Sequence, residues 1–195
     1  MINQPVATIF AGVNGAGKTS FYYNTQFDTQ KQIEFGYRID IDEIARSIGN
    51  WKDKEIQIKA SKKAIEIRNA YIKNQKNFMQ ETTLCGKSIL KLFDELKERG
   101  FIIKLYFLNV DSPKTAKERV KIRVAKGGHD IESSVINRRY YESMQNLLKV
   151  IPLCYEILFY DNTYDFELIA KITNNIMQKY KNVAWFDNLI QENII

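Results

Sequence analysis

The chain has 195 residues, 45% of them hydrophobic, which is enough for one α/β domain with a buried core. Lys+Arg number 29 against 23 Asp+Glu, so the net charge is +6 and an anionic partner is expected. No run of about 18 apolar residues is present, which excludes a membrane-spanning helix, while two cysteines and a single histidine exclude a disulfide framework and a multi-histidine metal site.

In chain order, Val6–Gly12 reads as a buried parallel strand, because Ala7-Thr8-Ile9-Phe10 is a short apolar run. Residues 12–19, Gly-Val-Asn-Gly-Ala-Gly-Lys-Thr, then fit the phosphate-loop pattern G-x-x-x-x-G-K-[ST]. Glycines let such a loop turn its N–H groups inward onto phosphate oxygens. The expected nucleotide site takes in Gly12, Asn14, Gly15, Ala16, Gly17, Lys18, Thr19 and Ser20. Lys18 supplies charge to the β- and γ-phosphates of ATP, Thr19 offers a hydroxyl to Mg²⁺, and a helix over Lys18–Asn24 turns its positive end to the anion.

A second strand, Gly36–Ile39, is followed by Asp40, Asp42 and Glu43 and a helix over Asp42–Ile48. Lys52–Asn74 is amphipathic: Ile56, Ala60, Ala64, Ile67 and Tyr71 recur at steps of three and four. A third strand, Asn77–Glu81, runs into Thr82 and Thr83, and Lys87–Arg99 follows as a helix. Phe101–Asn109 is the fourth strand, and Asp111-Ser112-Pro113 marks the start of a helix over Pro113–Val124 with a capping side chain before a first-turn proline. Lys126-Gly127-Gly128-His129 separates it from a helix over Glu132–Val150. Glu156–Tyr160 is the fifth strand, Asp165–Lys181 is expected as a helix, and the aromatic tail 183–195 is expected to dock as another. Alternating strands and helices without a linker or repeat predict a single three-layer α/β domain with a mostly parallel five-stranded sheet.

In such sheets, ligands bind beyond the carboxyl ends of the strands. Asp40, Asp42 and Glu81 therefore converge on the phosphate loop. Acids beside a triphosphate either hold Mg²⁺ or accept a proton from an attacking hydroxyl; for Asp40 and Asp42 the plainer role of helix N-cap stays open. Arg119, Arg123, Arg138 and Arg139 lie on the two helices that flank the glycine pair. This is the pattern of an arginine-rich lid, over about residues 114–140, that closes guanidinium forks onto phosphate oxygens. A solvated basic hairpin is the alternative.

Several stretches together resemble the zeta toxin family, in particular its short bacterial members: AGVNGAGKTS, RIDIDEIA, FMQETTLCGKS, GFIIKLYFLNVDSPKTAKERVKIRVAKGGHDI and INRRYYESMQNLL, within about residues 5–165. The resemblance implies a P-loop kinase fold and an ATP- and Mg²⁺-dependent kinase. It implies phosphorylation of a sugar hydroxyl of UDP-N-acetylglucosamine, which stops cell-wall precursor synthesis, and a small antitoxin partner. By position it makes Asp42 the catalytic aspartate, acting with Lys18 and Arg119. It gives Glu81 and Thr83 to the acceptor, with Asp40 and His129 beside them. The second lid arginine falls near His129, with Arg138 and Arg139 as replacements. The chain departs from the family where many short members read Asn-Pro-Asp and it reads Asp40-Ile41-Asp42.

Other readings are a kinase for a drug, nucleoside or polynucleotide end, and a nucleotide-gated switch. No guanine-recognition Asn-Lys-x-Asp or transporter Leu-Ser-Gly-Gly sequence supports the switch. Neither a zinc-finger spacing nor an RNA-recognition aromatic motif supports a nucleic-acid partner. Cys85 and Cys154 are read as small packed hydrophobes in a reducing cytoplasm.

Overall fold

The structure, a computed structural model, describes residues 4–26, 35–128 and 130–191. Its centre is a seven-stranded sheet of β1 (Val6–Ala11), β2 (Tyr37–Ile39), β3 (Phe78–Thr82), β4 (Ile102–Asn109), β5 (Glu156–Asp161), β6 (Glu167–Thr173) and β7 (Ile176–Lys179), in the order β2-β3-β1-β4-β5-β6-β7. The first five in that order are parallel, and β6 and β7 add an antiparallel hairpin at the β5 edge. The described helices are α1 (Lys18–Gln26), α2 (Ile41–Ile48), α3 (Lys54–Lys73), α4 (Lys87–Glu98), α5 (Pro113–Ala125), α6 (Ser133–Val150) and α7 (Ala184–Gln191).

Alternation along the strands divides the core between the two faces of the sheet. Ala7, Ile9 and Ala11 of β1 join Ile103, Leu105 and Phe107 of β4 under α3, α4 and α7. Phe10 and Leu108 point the other way, into Phe21 of α1 and Ala116 and Val120 of α5. α6 spans both sides, with Ile136 and Tyr140 on one and Leu147 and Val150 on the other. This is the three-layer arrangement that a parallel sheet, apolar on both faces, requires.

Two expectations are corrected. The sheet has seven strands rather than five, and the segment expected as a helix over Asp165–Lys181 is the β6–β7 hairpin. Ile169, Ile172 and Ile176 recur at three and four, which imitates a helix. A register shift at Phe159/Tyr160 pairs Phe159 with Ala170 and Tyr160 with Leu168, so that Ile169 is the extra residue of a bulge. Ile169 and Ala170 are then both buried, and the two-residue alternation that identifies a strand is lost. The turn is a two-residue loop with positive φ at Asn174 (50°) and Asn175 (63°), as a type I′ hairpin needs.

Within the expected tail, α7 docks on the sheet: Trp185, Phe186 and Leu189 are buried, and Phe186 lies 4.8 Å from Phe159, ring centre to ring centre, while 192–195 lie outside the described residues. Ser112 caps α5 as read, accepting from the Thr115 N–H at 3.2 Å ahead of Pro113. No described helix is long and apolar enough to cross a membrane.

Candidate active site

Register aligns the carboxyl ends of the parallel strands. Ile39 pairs with Gln80, Phe10 with Glu81, and Ala11 with both Thr82 and Phe107. The residues just past these strands therefore emerge together, along one edge, around a cleft of about 900 Å³.

The phosphate loop forms one wall. Gly12 and Gly17 have φ of 144° and 91°, and a Cβ at either position would sit 2.0 Å from the Leu108 carbonyl oxygen or 2.3 Å from Asn162 Nδ2. Both the backbone conformation and the close approach demand glycine there. Lys18 folds back under the loop, its Nζ donating to the carbonyls of Gly12 (2.8 Å) and Val13 (3.2 Å). Desolvation lowers its pKa to about 8; Glu81 opposes the shift, and Arg123 and Arg139 add to it. A negative ligand reverses that balance.

Facing the loop, Glu81 accepts from the Thr19 hydroxyl at 2.9 Å and from Arg38 Nη2 at 3.0 Å. Arg38 also pairs with Asp40 (2.6 Å) and Glu43 (3.2 Å), and its guanidinium lies 4.2 Å from the Tyr22 ring centre. Burial alone would lower the Arg38 pKa; the Tyr23 hydrogen bond and the Asp40 and Glu81 carboxylates outweigh it and raise the pKa above its ordinary value. Asp40 is fully engaged: one oxygen meets Arg38 and the other caps α2, accepting from Asp42 N–H (2.8 Å) and Glu43 N–H (3.3 Å). Its cap aims the first turn of α2 at the cleft, where Asp42 is exposed. Thr83 lines the cleft beside Glu81.

The arginines divide. Arg119, Arg123 and Arg139 line the cleft, whereas Arg138 is 64% exposed and pairs with Glu142 one helical turn away. Arg139 reaches the phosphate loop, donating to Asn14 Oδ1 at 2.9 Å. Gly127 and Gly128 close α5 with a Schellman motif, Gly128 N–H to Arg123 O (3.0 Å) and Gly127 N–H to Val124 O (2.9 Å). His129 lies outside the described residues.

Sequence reading missed a second set of supports. Asn162 Nδ2 donates to the Ala16 carbonyl (2.9 Å), and the Thr163 carbonyl accepts from Arg119 Nη2 (3.1 Å). Asp161 anchors this pair of residues: it accepts from the Thr163 N–H (3.1 Å), the Thr163 hydroxyl (2.9 Å) and Trp185 Nε1 (2.8 Å). A chain of contacts thus runs from α7 through the end of β5 to Arg119 and the phosphate loop. The strand-end rule, applied to β5 as it was to β1, β2 and β3, flags Asp161-Asn162-Thr163. For Arg38 the signal was a charged residue inside a short strand, between Tyr37 and Ile39.

Comparison with known proteins agrees with this architecture. The family model for zeta toxin matches residues 2–156, and the chain belongs to that family. A Haemophilus influenzae protein described as uncharacterized is 32% identical over 139 residues, 71% of this chain and 95% of that protein. Among solved structures, the AvrRxo1-ORF1:AvrRxo1-ORF2 complex with ATP superposes with a TM-score of 0.75 at 12% identity, over 95% of this chain. This chain spans 63% of that neighbour's length. A structure from the PezAT chromosomal toxin-antitoxin system of Streptococcus pneumoniae gives a TM-score of 0.65 at 18% identity, covering 96% of this chain and 78% of that one.

Proposed function

We propose, from the family membership and the cleft together, that the protein is an ATP-dependent kinase of zeta-toxin type that phosphorylates a sugar hydroxyl of UDP-N-acetylglucosamine. The observation that carries the reading is the convergence of Lys18, Thr19, Asp42, Glu81 and three arginines on one cleft at the strand ends. ATP is the phosphoryl donor, in keeping with a fold neighbour solved with ATP.

Lys18 leaves its two carbonyls and pairs with the β- and γ-phosphates, and Arg119, Arg123 and Arg139 bind the transferring group's oxygens from the lid side. Asp42, with no side-chain hydrogen bond of its own among the described contacts, accepts the acceptor's hydroxyl proton. The acceptor oxygen bonds to the γ-phosphorus, the β–γ bridging P–O bond breaks, and ADP leaves with that bonding pair. Glu81 and Thr83 hold the sugar's remaining hydroxyls.

No group of three or more metal-binding side chains occurs among the described residues. That suits Mg²⁺, which keeps most of its waters and would take substrate phosphates as ligands, with the Thr19 hydroxyl as the protein donor. When bound, it neutralises charge on the phosphates. A small protein antitoxin is the proposed partner, since both fold neighbours described above are complexes or systems of two gene products, one of them a named toxin-antitoxin system.

The test is incubation with ATP, Mg²⁺ and a panel of nucleotide sugars, followed by mass analysis. Wild type adds one phosphate to UDP-N-acetylglucosamine. Asp42→Asn keeps ATP affinity and loses turnover by about a hundredfold or more. Transfer to another hydroxyl compound with UDP-N-acetylglucosamine untouched removes the substrate assignment and leaves the kinase, whereas full turnover in Asp42→Asn removes the base.

A further inference from the structure

Asp42 and Glu81 come from different strand ends, and the element that leads into Asp42 is lightly held. β2 is three residues long, lies at one end of the sheet and pairs with β3 alone among the described strands. A catalytic constellation has to be held within about 0.5 Å, so so short a ladder needs a further support. Arg38 supplies one, with its side chain only 9% exposed. Its Nη2 sits between two carboxylates, 2.6 Å from Asp40 Oδ2 and 3.0 Å from Glu81 Oε1. The other oxygen of each carboxylate is committed to a different element. Asp40 Oδ1 accepts from the Asp42 and Glu43 N–H groups that open α2, and Glu81 Oε2 accepts from the Thr19 hydroxyl at the phosphate loop. The guanidinium itself is fixed from α1, by the Tyr22 ring, whose centre is 4.2 Å away, and by the Tyr23 hydroxyl, which accepts from Nη1 at 3.3 Å.

One nitrogen thus joins the start of α2, the end of β3 and, through Glu81, the Thr19 hydroxyl. Without it Asp40 and Glu81 would face each other across one gap as like charges and move apart. Asp40, Asp42 and Glu81 line the cleft, whereas Arg38 stands behind them and is not part of its wall. We propose that Arg38 is a positioning residue for phosphoryl transfer: it touches neither donor nor acceptor, and through Asp40 and Glu81 it sets where Asp42 stands relative to the acceptor's hydroxyl and to Thr19. The role rests on the kinase reading. It calls for arginine and not merely for a cation. The planar fork serves Asp40 and Glu81 from Nη2 while Nη1 serves Glu43 and Tyr23, whereas a lysine ammonium is a point charge on a flexible stem.

The experiment measures steady-state kinetics of the full chain with ATP, Mg²⁺ and UDP-N-acetylglucosamine, or whichever panel compound wild type phosphorylates in its place. Each variant is assayed at a temperature where its melting curve shows it folded. Arg38→Lys keeps the charge and loses the shared bridge; Asp40→Asn keeps a side chain that caps α2 and loses the ion pair. Each is expected to lower kcat by about 10- to 100-fold, the scale of a misplaced group, with the KM for ATP within about twofold of wild type. Because both break one bridge, the double variant falls no further than the worse single one. A merely structural role lowers Tm and leaves the kcat of the folded protein unchanged. Wild-type kcat in either folded variant, a loss confined to the KM for ATP, or losses that multiply in the double variant overturns the proposal and leaves the kinase reading standing. Wild type that phosphorylates no compound removes the kinase reading and this role with it. Should Arg38→Lys fail to fold, Asp40→Asn decides alone.

Discussion

Trp185 lies 24 residues from Asp161 in sequence and donates its indole N–H to that buried carboxylate at 2.8 Å. Trp185→Phe keeps an aromatic ring against Phe107 and Phe186 and deletes the donor. A hydrogen bond to a charged group contributes about 1.5–3 kcal/mol, and part of the indole's packing is lost with it. For a domain of this size each kcal/mol shifts Tm by about 2–4 °C, so Tm is expected to fall by roughly 4–12 °C. The second effect is on the site, because Asp161 also holds Thr163, whose carbonyl anchors Arg119, and the adjacent Asn162 braces the phosphate loop. Loosening this loop moves Arg119, which is proposed to act in the transition state, and misplacement by about 1 Å can cost up to about a hundredfold in turnover. Melting curves and steady-state kinetics at 25 °C, where the variant stays folded, separate the two. A cycle with Thr163→Val tests whether both act through Asp161, with a coupling energy of about 0.5–3 kcal/mol expected. Trp185→Phe with wild-type turnover, whatever its Tm, refutes the link to Arg119; additive effects of the two substitutions refute the shared anchor.

Arg38→Met leaves Asp40, Glu43 and Glu81 without their shared cation and is expected to destabilise by about 3 kcal/mol, the low end for a buried pair because the carboxylates are partly exposed; an unchanged urea midpoint contradicts this. Arg138→Ala, outside the cleft, leaves turnover intact, whereas Arg139→Ala, which loses the Asn14 contact, lowers it about tenfold or more. Equal losses for the two would place Arg138 in the site. Asn175→Gly relieves a positive φ in the hairpin turn and raises Tm by about 1–2 °C; a fall in Tm argues against the type I′ turn.

The sequence by itself determined the phosphate loop, the acids just past the ends of the parallel strands and the docking of Trp185, Phe186 and Leu189. Each rests on local chemistry: Gly12 and Gly15 ahead of Gly17-Lys18-Thr19, acids directly after short apolar strands, and a cluster of Trp185, Phe186 and Leu189 that water disfavours. Family membership was legible for the same reason, since its marks are contiguous motifs. Only the tertiary structure decided what depended on partners distant in the chain. A bulge opposite Phe159/Tyr160 buries adjacent residues, and β6 shows itself as a strand only once β5 is beside it. Asp40 is recognised as a cap and ion-pair partner because Arg38 and the α2 N–H groups reach it together. Arg138 and Arg139 are neighbours in sequence, yet the 100° step of the helix sends one to solvent and the other to Asn14. Periodicity shows which residues share a face; which face meets the cleft is set by packing against the rest of the fold, and on that packing the contacts of Arg38, Asn162 and Trp185 depend.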